Sequence, residues 1–267
     1  MKIKHLLCFI ALCLFFTPGK AQQLSVMTLR NGATVYIWED KSKPDVFGMI
    51  AFKVGSVDDP EQYTGLAHYL EHVMFKGTQT IDALDWEKEK PIYEKIIAKY
   101  DERAALSDPA AREAIDKEIN DLTREAAQYA AGNEFSLLVD HMGGQGLNAS
   151  TGYDQTEYHN SFPPSQLEKW LEIYSERLIG PVFRGFQTEL EAVYEEYNMY
   201  NDDRGSRMRE FIYEQAFGDH PYARPIIGLP EHLKNPQLSK LIDFYNTWYG
   251  PQNMSIILVG NIDAKEA

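Results

Sequence analysis

A mixed α/β domain of the α+β class is what the sequence predicts, on three observations. Leu24 to Leu29 and Ala33 to Glu39 are strand-like runs joined through Arg30-Asn31-Gly32, and Asn-Gly is the favoured two-residue hairpin turn. Asn253 to Gly260 is a continuous apolar run of strand length, as a buried strand has. Between them the apolar residues recur mostly at helical spacing, and one stretch is so charged that it reads as a helical insertion.

The first 21 residues stand apart from this fold. Lys2 and Lys4 precede the apolar run Leu6 to Phe16, and Pro18, Gly19 and Ala21 follow, which is the tripartite pattern of a signal peptide cleaved after Ala21. The run is too short to span a bilayer comfortably. The expectation is a periplasmic or secreted protein with no stable membrane anchor after cleavage. Both cysteines, Cys8 and Cys13, lie inside the leader. Residues 22–267 therefore have no disulfide framework and no thiol nucleophile, and export without disulfides suits a bacterial envelope. Loss of Lys2, Lys4 and Lys20 leaves 23 basic against 40 acidic residues, a net charge of −17. That acidity argues against a nucleic-acid binder held by phosphate contacts. Hydrophobic residues at 44% and charged residues at 25% exclude collagen-like, low-complexity and multi-span membrane classes.

Along the chain, Val46 to Val54 is a third strand candidate, broken by Asp58-Asp59-Pro60, and a helical pattern starts near Thr64. Residues 82–134 form the charged block. Between Asp85 and Ala104, 11 of 20 residues are charged, with Ile92, Ile96 and Tyr100 at helical spacing, and Ser107-Asp108-Pro109 separates this helix from Ala110 to Ala131. The plain reading of this inserted hairpin is a solvated pair of helices rather than a binding device. Gly143 to Thr151 returns to strand and loop character. Leu167 to Leu178, Glu189 to Tyr200 and Leu238 to Trp248 read as helices. There is no internal repeat.

The first site candidate is His68-Tyr69-Leu70-Glu71-His72. On a helix, Leu66, Tyr69, Leu70, Val73 and Met74 cover one arc, and His68, Glu71 and His72 fall opposite. Two histidines at i and i+4 can aim their rings at one metal ion, and a glutamate between them can reach a water on that metal. Phe75 lies on the histidine side, which implies that something covers it. Surface histidines are the bland alternative, but three residues matching the HxxEH zinc spacing together favour the metal.

A zinc site needs a third protein ligand and an open position. Thr188 to Met199 (TELEAVYEEYNM) offers four glutamates. Thr188 with Glu191 reads as a capping box, so a helix is expected to begin there. Leu190, Val193, Tyr194 and Tyr197 make its apolar face. Glu189 and Glu196 nearly superimpose at the margin of that face, whereas Glu191 and Glu195 point to the polar side. Helical geometry leaves Glu189 and Glu196 both open as the inward carboxylate.

GLAHYLEHVMFKGT carries a family resemblance, continued by GGQGLNASTGYDQTEYH, ELEAVYEEYNM, HPYARPIIG and MSIILVGNID. The chain resembles the pitrilysin/insulinase (M16) zinc metallopeptidases over nearly all of residues 24–263, with its nearest likeness to envelope members that carry a WEKEKP-type helical insertion after the motif. The resemblance implies the N-terminal catalytic half of such an enzyme: a mixed antiparallel sheet with helices packed on one face, plus the inserted hairpin at 82–134. It implies His68, His72 and Glu196 as ligands of one zinc ion per chain, Glu71 as general base and Glu189 as a supporting acidic residue. It implies that peptide substrate adds as a strand along Gly146 to Thr151, with Asn148 and Ala149 nearest the site. It also implies a partner, because the family's active unit is a pair of homologous halves and no second half follows Ala267. The expected domain is thus 22–267, truncated at its C-terminal end.

The function this points to is a zinc metalloendopeptidase that hydrolyses peptides or unfolded segments. The alternative is a non-catalytic or partner-dependent peptide-binding subunit. Degenerate subunits of that kind usually lose a motif residue, and here His68, Glu71, His72 and Glu196 are all present.

Overall fold

The computed structural model describes residues 24–265 and 267. The expected leader, with both cysteines, lies outside the described residues. Strands β1 (Leu24–Thr28) and β2 (Thr34–Glu39) form the expected antiparallel hairpin, in register Thr28 with Thr34. The turn is one residue longer than the two-residue type. Leu29 N–H donates to Ala33 O at 2.8 Å, and Gly32 takes the left-handed conformation at φ 96° that closes a three-residue loop. Strands β3 (Val46–Phe52), β4 (Gln145–Thr151), β5 (Thr156–Phe162) and β6 (Met254–Gly260) complete one six-stranded sheet in the order β1-β2-β6-β3-β5-β4. Only β2 with β6 is parallel, so the sheet is mixed and mostly antiparallel. β6 lies between β2 and β3, with a neighbour on both sides, but it is not the fully buried strand its apolar run suggests: only Leu258 and Gly260 are buried, and Val259 is exposed. β4 pairs with β5 alone and forms one edge of the sheet.

Nine helices of four residues or more are described: α1 (Leu66–Val73), α2 (Trp86–Ala105), α3 (Pro109–Ala126), α4 (Glu134–His141), α5 (Leu167–Ile179), α6 (Phe186–Asp202), α7 (Arg204–Phe217), α8 (Pro230–Leu233) and α9 (Leu238–Trp248). Helices pack on the face formed by Val46, Ile50 and Phe52 of β3 and Thr156, Tyr158, Asn160 and Phe162 of β5, all buried. Asn160 fastens α5 there: its Oδ1 accepts from Trp170 Nε1 and from the Tyr174 hydroxyl, each at 2.8 Å. The insertion is the predicted hairpin. Asp85 caps α2, Asp108 caps α3, and Pro109 takes the first position of α3, where its missing N–H is harmless. Among the described residues no helix is long and apolar enough to cross a membrane.

Five elements differ from expectation. α6 begins at Phe186 behind Gly185, not at a Thr188–Glu191 box, so Thr188 lies inside the first turn. β5, α4, α7 and the short α8 were not anticipated at all.

α1 is short and is held at both ends. Gly65 stands before it at φ 89°, and a Cβ there would come within 2.6 Å of Ile227 O, so only glycine fits. The Asp59 carboxylate accepts from Gly65 N–H at 2.7 Å and from Ala67 N–H at 2.9 Å, satisfying donors that the helix start leaves free. At the other end Arg177 Nε donates to Met74 O at 2.9 Å.

Burial pushes the Asp59 carboxyl up to about 7, against the Ala67 and Gly65 N–H groups and the Arg224 guanidinium. The native state thus keeps a proton that the unfolded chain releases near its ordinary value of 3.8. The stability linked to that proton is complete below 3.8 and is lost as pH rises to about 7. Asp59→Asn, which cannot ionise, is expected to shrink the difference in urea-unfolding free energy between about pH 5 and pH 7 by roughly 1–3 kcal/mol. Equal differences in parent and variant would show that the group does not titrate in this way.

Candidate functional site

α1 presents His68 and His72 one turn apart, with ring centroids 4.9 Å from each other. α6 brings Glu196 to both rings: its Oε2 lies 3.5 Å from His68 Nε2 and 3.5 Å from His72 Nε2. The ligand atoms of the three residues all lie within 4.8 Å of one another. Donors about 2.1 Å from a tetrahedral zinc ion stand about 3.4 Å apart. The observed spacing and the two-imidazole, one-carboxylate donor set therefore fit zinc, with room left for a fourth ligand.

Electrostatics separates the two histidines. Burial, reinforced by His72, pushes His68 down to about 4, so it is the neutral imidazole a metal requires. Burial also opposes a charge on His72, but the carboxylates of Glu189 and Glu196 overcome it and push His72 up to about 9. Contact with His72 is the main cause that draws Glu196 down to about 2.

Glu189 sits on the other side of the same ring. Its Oε2 is 3.6 Å from His72 Nδ1, and its Oε1 is paired with Lys76 Nζ at 2.5 Å. A carboxylate behind a ligating imidazole fixes the tautomer and orientation of the ring. Glu191 and Glu195 are exposed, as helical geometry predicted.

Glu71 stands beside this cluster and is bonded to β4. Thr151 Oγ1 donates to its Oε2 at 2.6 Å, and burial raises its carboxyl above the ordinary value despite that bond. His68, Glu71 and Glu196 line one cavity of about 450 Å3 together with Ala149, Ser150 and Thr151 of β4. The free edge of the sheet thus runs along the cavity. Ala149 is buried against Tyr158, whereas Asn148 is exposed opposite His159 and does not line the cavity. Phe75 is covered by Phe135, Tyr158 and the Arg177 guanidinium, which lies 4.2 Å from its ring.

Thr151 and Lys76 were missed in sequence. Both act on the site through side chains that meet only in three dimensions. GGQGLNAST did mark the strand that carries Thr151, but no local pattern pairs it with Glu71.

A mixed sheet thus carries an HxxEH helix with a downstream glutamate beside it, and comparison with known proteins gives the family. The model for insulinase (peptidase family M16) matches residues 34–90 and 122–229, and that for the M16 inactive domain matches residues 237–267. The chain belongs to the insulinase family, peptidase family M16. An uncharacterized zinc protease of Mycobacterium leprae is 26% identical over 215 residues, covering 80% of this chain and 37% of that protein. The probable zinc protease PqqL of Escherichia coli is 25% identical over 258 residues, 92% of this chain and 22% of PqqL. The crystal structure of a protease from Helicobacter pylori superimposes with a TM-score of 0.70 at 22% identity, over 92% of this chain and 48% of that one. The chain thus spans between about a fifth and half of the length of these relatives. Zinc is the cofactor that the named relatives and the donor set agree on.

Purified chain is expected to bind one zinc ion, measured by atomic absorption after dialysis, and to lose it in His68→Ala and Glu196→Ala. At free zinc a hundredfold above Kd, the parent should gain about 2.7 kcal/mol of unfolding free energy that neither variant shows. Stoichiometric zinc retained in His68→Ala would remove His68 from the ligand set.

Proposed function

We propose that the chain is the catalytic half of a zinc-dependent endopeptidase that cleaves extended peptides or unfolded segments. The observation that carries this reading is that His68 and Glu196 of the His68–His72–Glu196 donor group line one cavity with the Glu71 carboxylate and a free strand edge.

Zinc held by His68, His72 and Glu196 would polarise a substrate carbonyl and acidify water. The remaining work falls to the chain. Glu71 takes the proton from the attacking water and delivers it to the nitrogen of the leaving amine. Its raised carboxyl suits both halves of that exchange, and Thr151 holds the carboxylate on the β4 side. Glu189, steadied by Lys76, orients His72. An extended peptide pairs with the backbone of β4 from Gly146 to Thr151, past Asn148 and Ala149, and this mode of pairing reads few side chains.

A second reading has its own support. The chain spans only a fraction of the relatives it matches, so the site is proposed to need a second homologous half for full turnover. Export to the periplasm is the proposed location, on the leader pattern and on the description of PqqL as a periplasmic protease.

Glu71→Gln is expected to keep stoichiometric zinc and to lose about 100- to 10,000-fold in hydrolysis of an unstructured quenched-fluorescent peptide. A chelator should abolish the parent's activity. Full activity in Glu71→Gln would sink the assignment of the base. Parent chain that holds zinc but cleaves nothing would favour the partner-dependent reading.

A further inference from the structure

The charged insertion, a solvated helix pair on its sequence, sends one buried ion pair into the frame of the site. Glu89, in the first turn of α2, has a side chain only 2% exposed. It accepts from Arg184 Nε at 2.6 Å and from Arg184 Nη2 at 2.8 Å, a two-pronged pairing. The third guanidinium nitrogen, Arg184 Nη1, donates to Lys76 O at 3.2 Å. Arg184 therefore joins the insertion to the residue whose ammonium holds Glu189, and it stands just before Gly185, where α6 starts.

Two further contacts from α2 fall on the same short segment. The Tyr93 hydroxyl accepts from Phe183 N–H at 3.3 Å, and the Tyr100 ring packs edge-on to Phe186 at 4.7 Å. The segment that launches the helix carrying Glu189 and Glu196 is thus held from one side by the insertion. The insulinase family match passes over residues 91–121, so most of the element that supplies this support lies outside the matched pattern.

We propose that Glu89 and Arg184 are positioning residues for the metal site: the pair fixes the start of α6 against the end of α1 and so sets the reach of Glu196 to His68 and His72. The inference rests on the metal-site reading above. Surface ion pairs within the insertion, such as Lys99 with Glu118 at 2.7 Å, make no such bridge.

The test is zinc affinity, measured by competition with a chromophoric chelator, and the visible spectrum of the cobalt-substituted chain, which reports the ligand geometry independently of turnover. Glu89→Gln and Arg184→Lys are compared with the parent and with Lys99→Gln. Arg184→Lys keeps the charge but cannot grip Glu89 and the Lys76 carbonyl together. Both pair variants are expected to lose roughly 10- to 100-fold in zinc affinity, the usual range for residues that orient ligands, and to shift the cobalt bands. Lys99→Gln should match the parent. If a pair variant fails to fold, Glu89→Met with Arg184→Met replaces the pair by apolar side chains of similar volume, and the same loss is expected of it. Folded pair variants with the parent's zinc affinity and cobalt spectrum would overturn the proposal while leaving the metal site intact. A parent that binds no zinc, or binds it unchanged in His68→Ala, would overturn the metal reading and this inference with it.

Discussion

The site depends on keeping an eight-residue helix still. A helix of that length is not self-sustaining in water, since the few hydrogen bonds it closes do not offset nucleation. Two imidazoles one turn apart can share a metal only if the turn between them does not fray. α1 meets this requirement by being buried over most of its surface and by being fastened at each end. Asp59 takes the free N–H groups at its start, and Arg177 takes a carbonyl at its end. Arg177 is itself fully buried, with its guanidinium 4.2–4.5 Å from the rings of Phe75, Tyr158 and Phe135. Desolvating a cation there is expensive, and the aromatic faces recover part of it.

The second requirement is that α6 arrive at the correct distance. Its glutamates are separated from the histidines by more than a hundred residues, so no local preference can set the gap. Packing sets it: Tyr69 of α1 lies against Phe186 at the start of α6, with ring centroids 4.9 Å apart, and the Lys76–Glu189 and Arg184–Glu89 pairs close the same junction. The inserted hairpin, which composition alone marks as a solvated appendage, thereby takes a share in the geometry of the proposed centre.

What was legible in the sequence follows the range of the interactions. HxxEH is local, and the arcs it predicts match the burial of Leu66, Tyr69, Leu70 and Val73. The β1–β2 hairpin is marked by its Asn-Gly turn, β6 by its continuous apolar run and α9 by its 3.6-residue periodicity, and all appear where expected. β5 escaped because its inward positions are Thr156, Tyr158, Asn160 and Phe162, two of them polar, and their burial is offset by bonds that no sequence window contains: Thr156 donates to Val54 O, and Asn160 accepts from Trp170 and Tyr174. α7 was overlooked although Met208, Phe211 and Ile212 recur at helical spacing; in the structure that stripe is exposed rather than packed on the core. The start of α6 was misplaced because Thr188 and Glu191 imitate a capping box, while Gly185 supplies the real boundary.

The choice between Glu189 and Glu196 shows how charge completes what periodicity leaves open. Seven residues are two turns, so both carboxylates leave the helix in nearly the same direction, about 10 Å apart along its axis. A helical wheel cannot separate them. The structure separates them by their neighbours. Glu196 meets the Nε2 atoms of both histidines, with no lysine or arginine paired to it among the described residues. Glu189 meets only the far nitrogen of His72 and is already engaged by the Lys76 ammonium. A carboxylate neutralised by a lysine is a weak candidate for a cation ligand but a good anchor for an imidazole N–H. One helix thus offers two chemically identical side chains, and the lysine placed at the end of the HxxEH helix divides them into a proposed ligand and a proposed support.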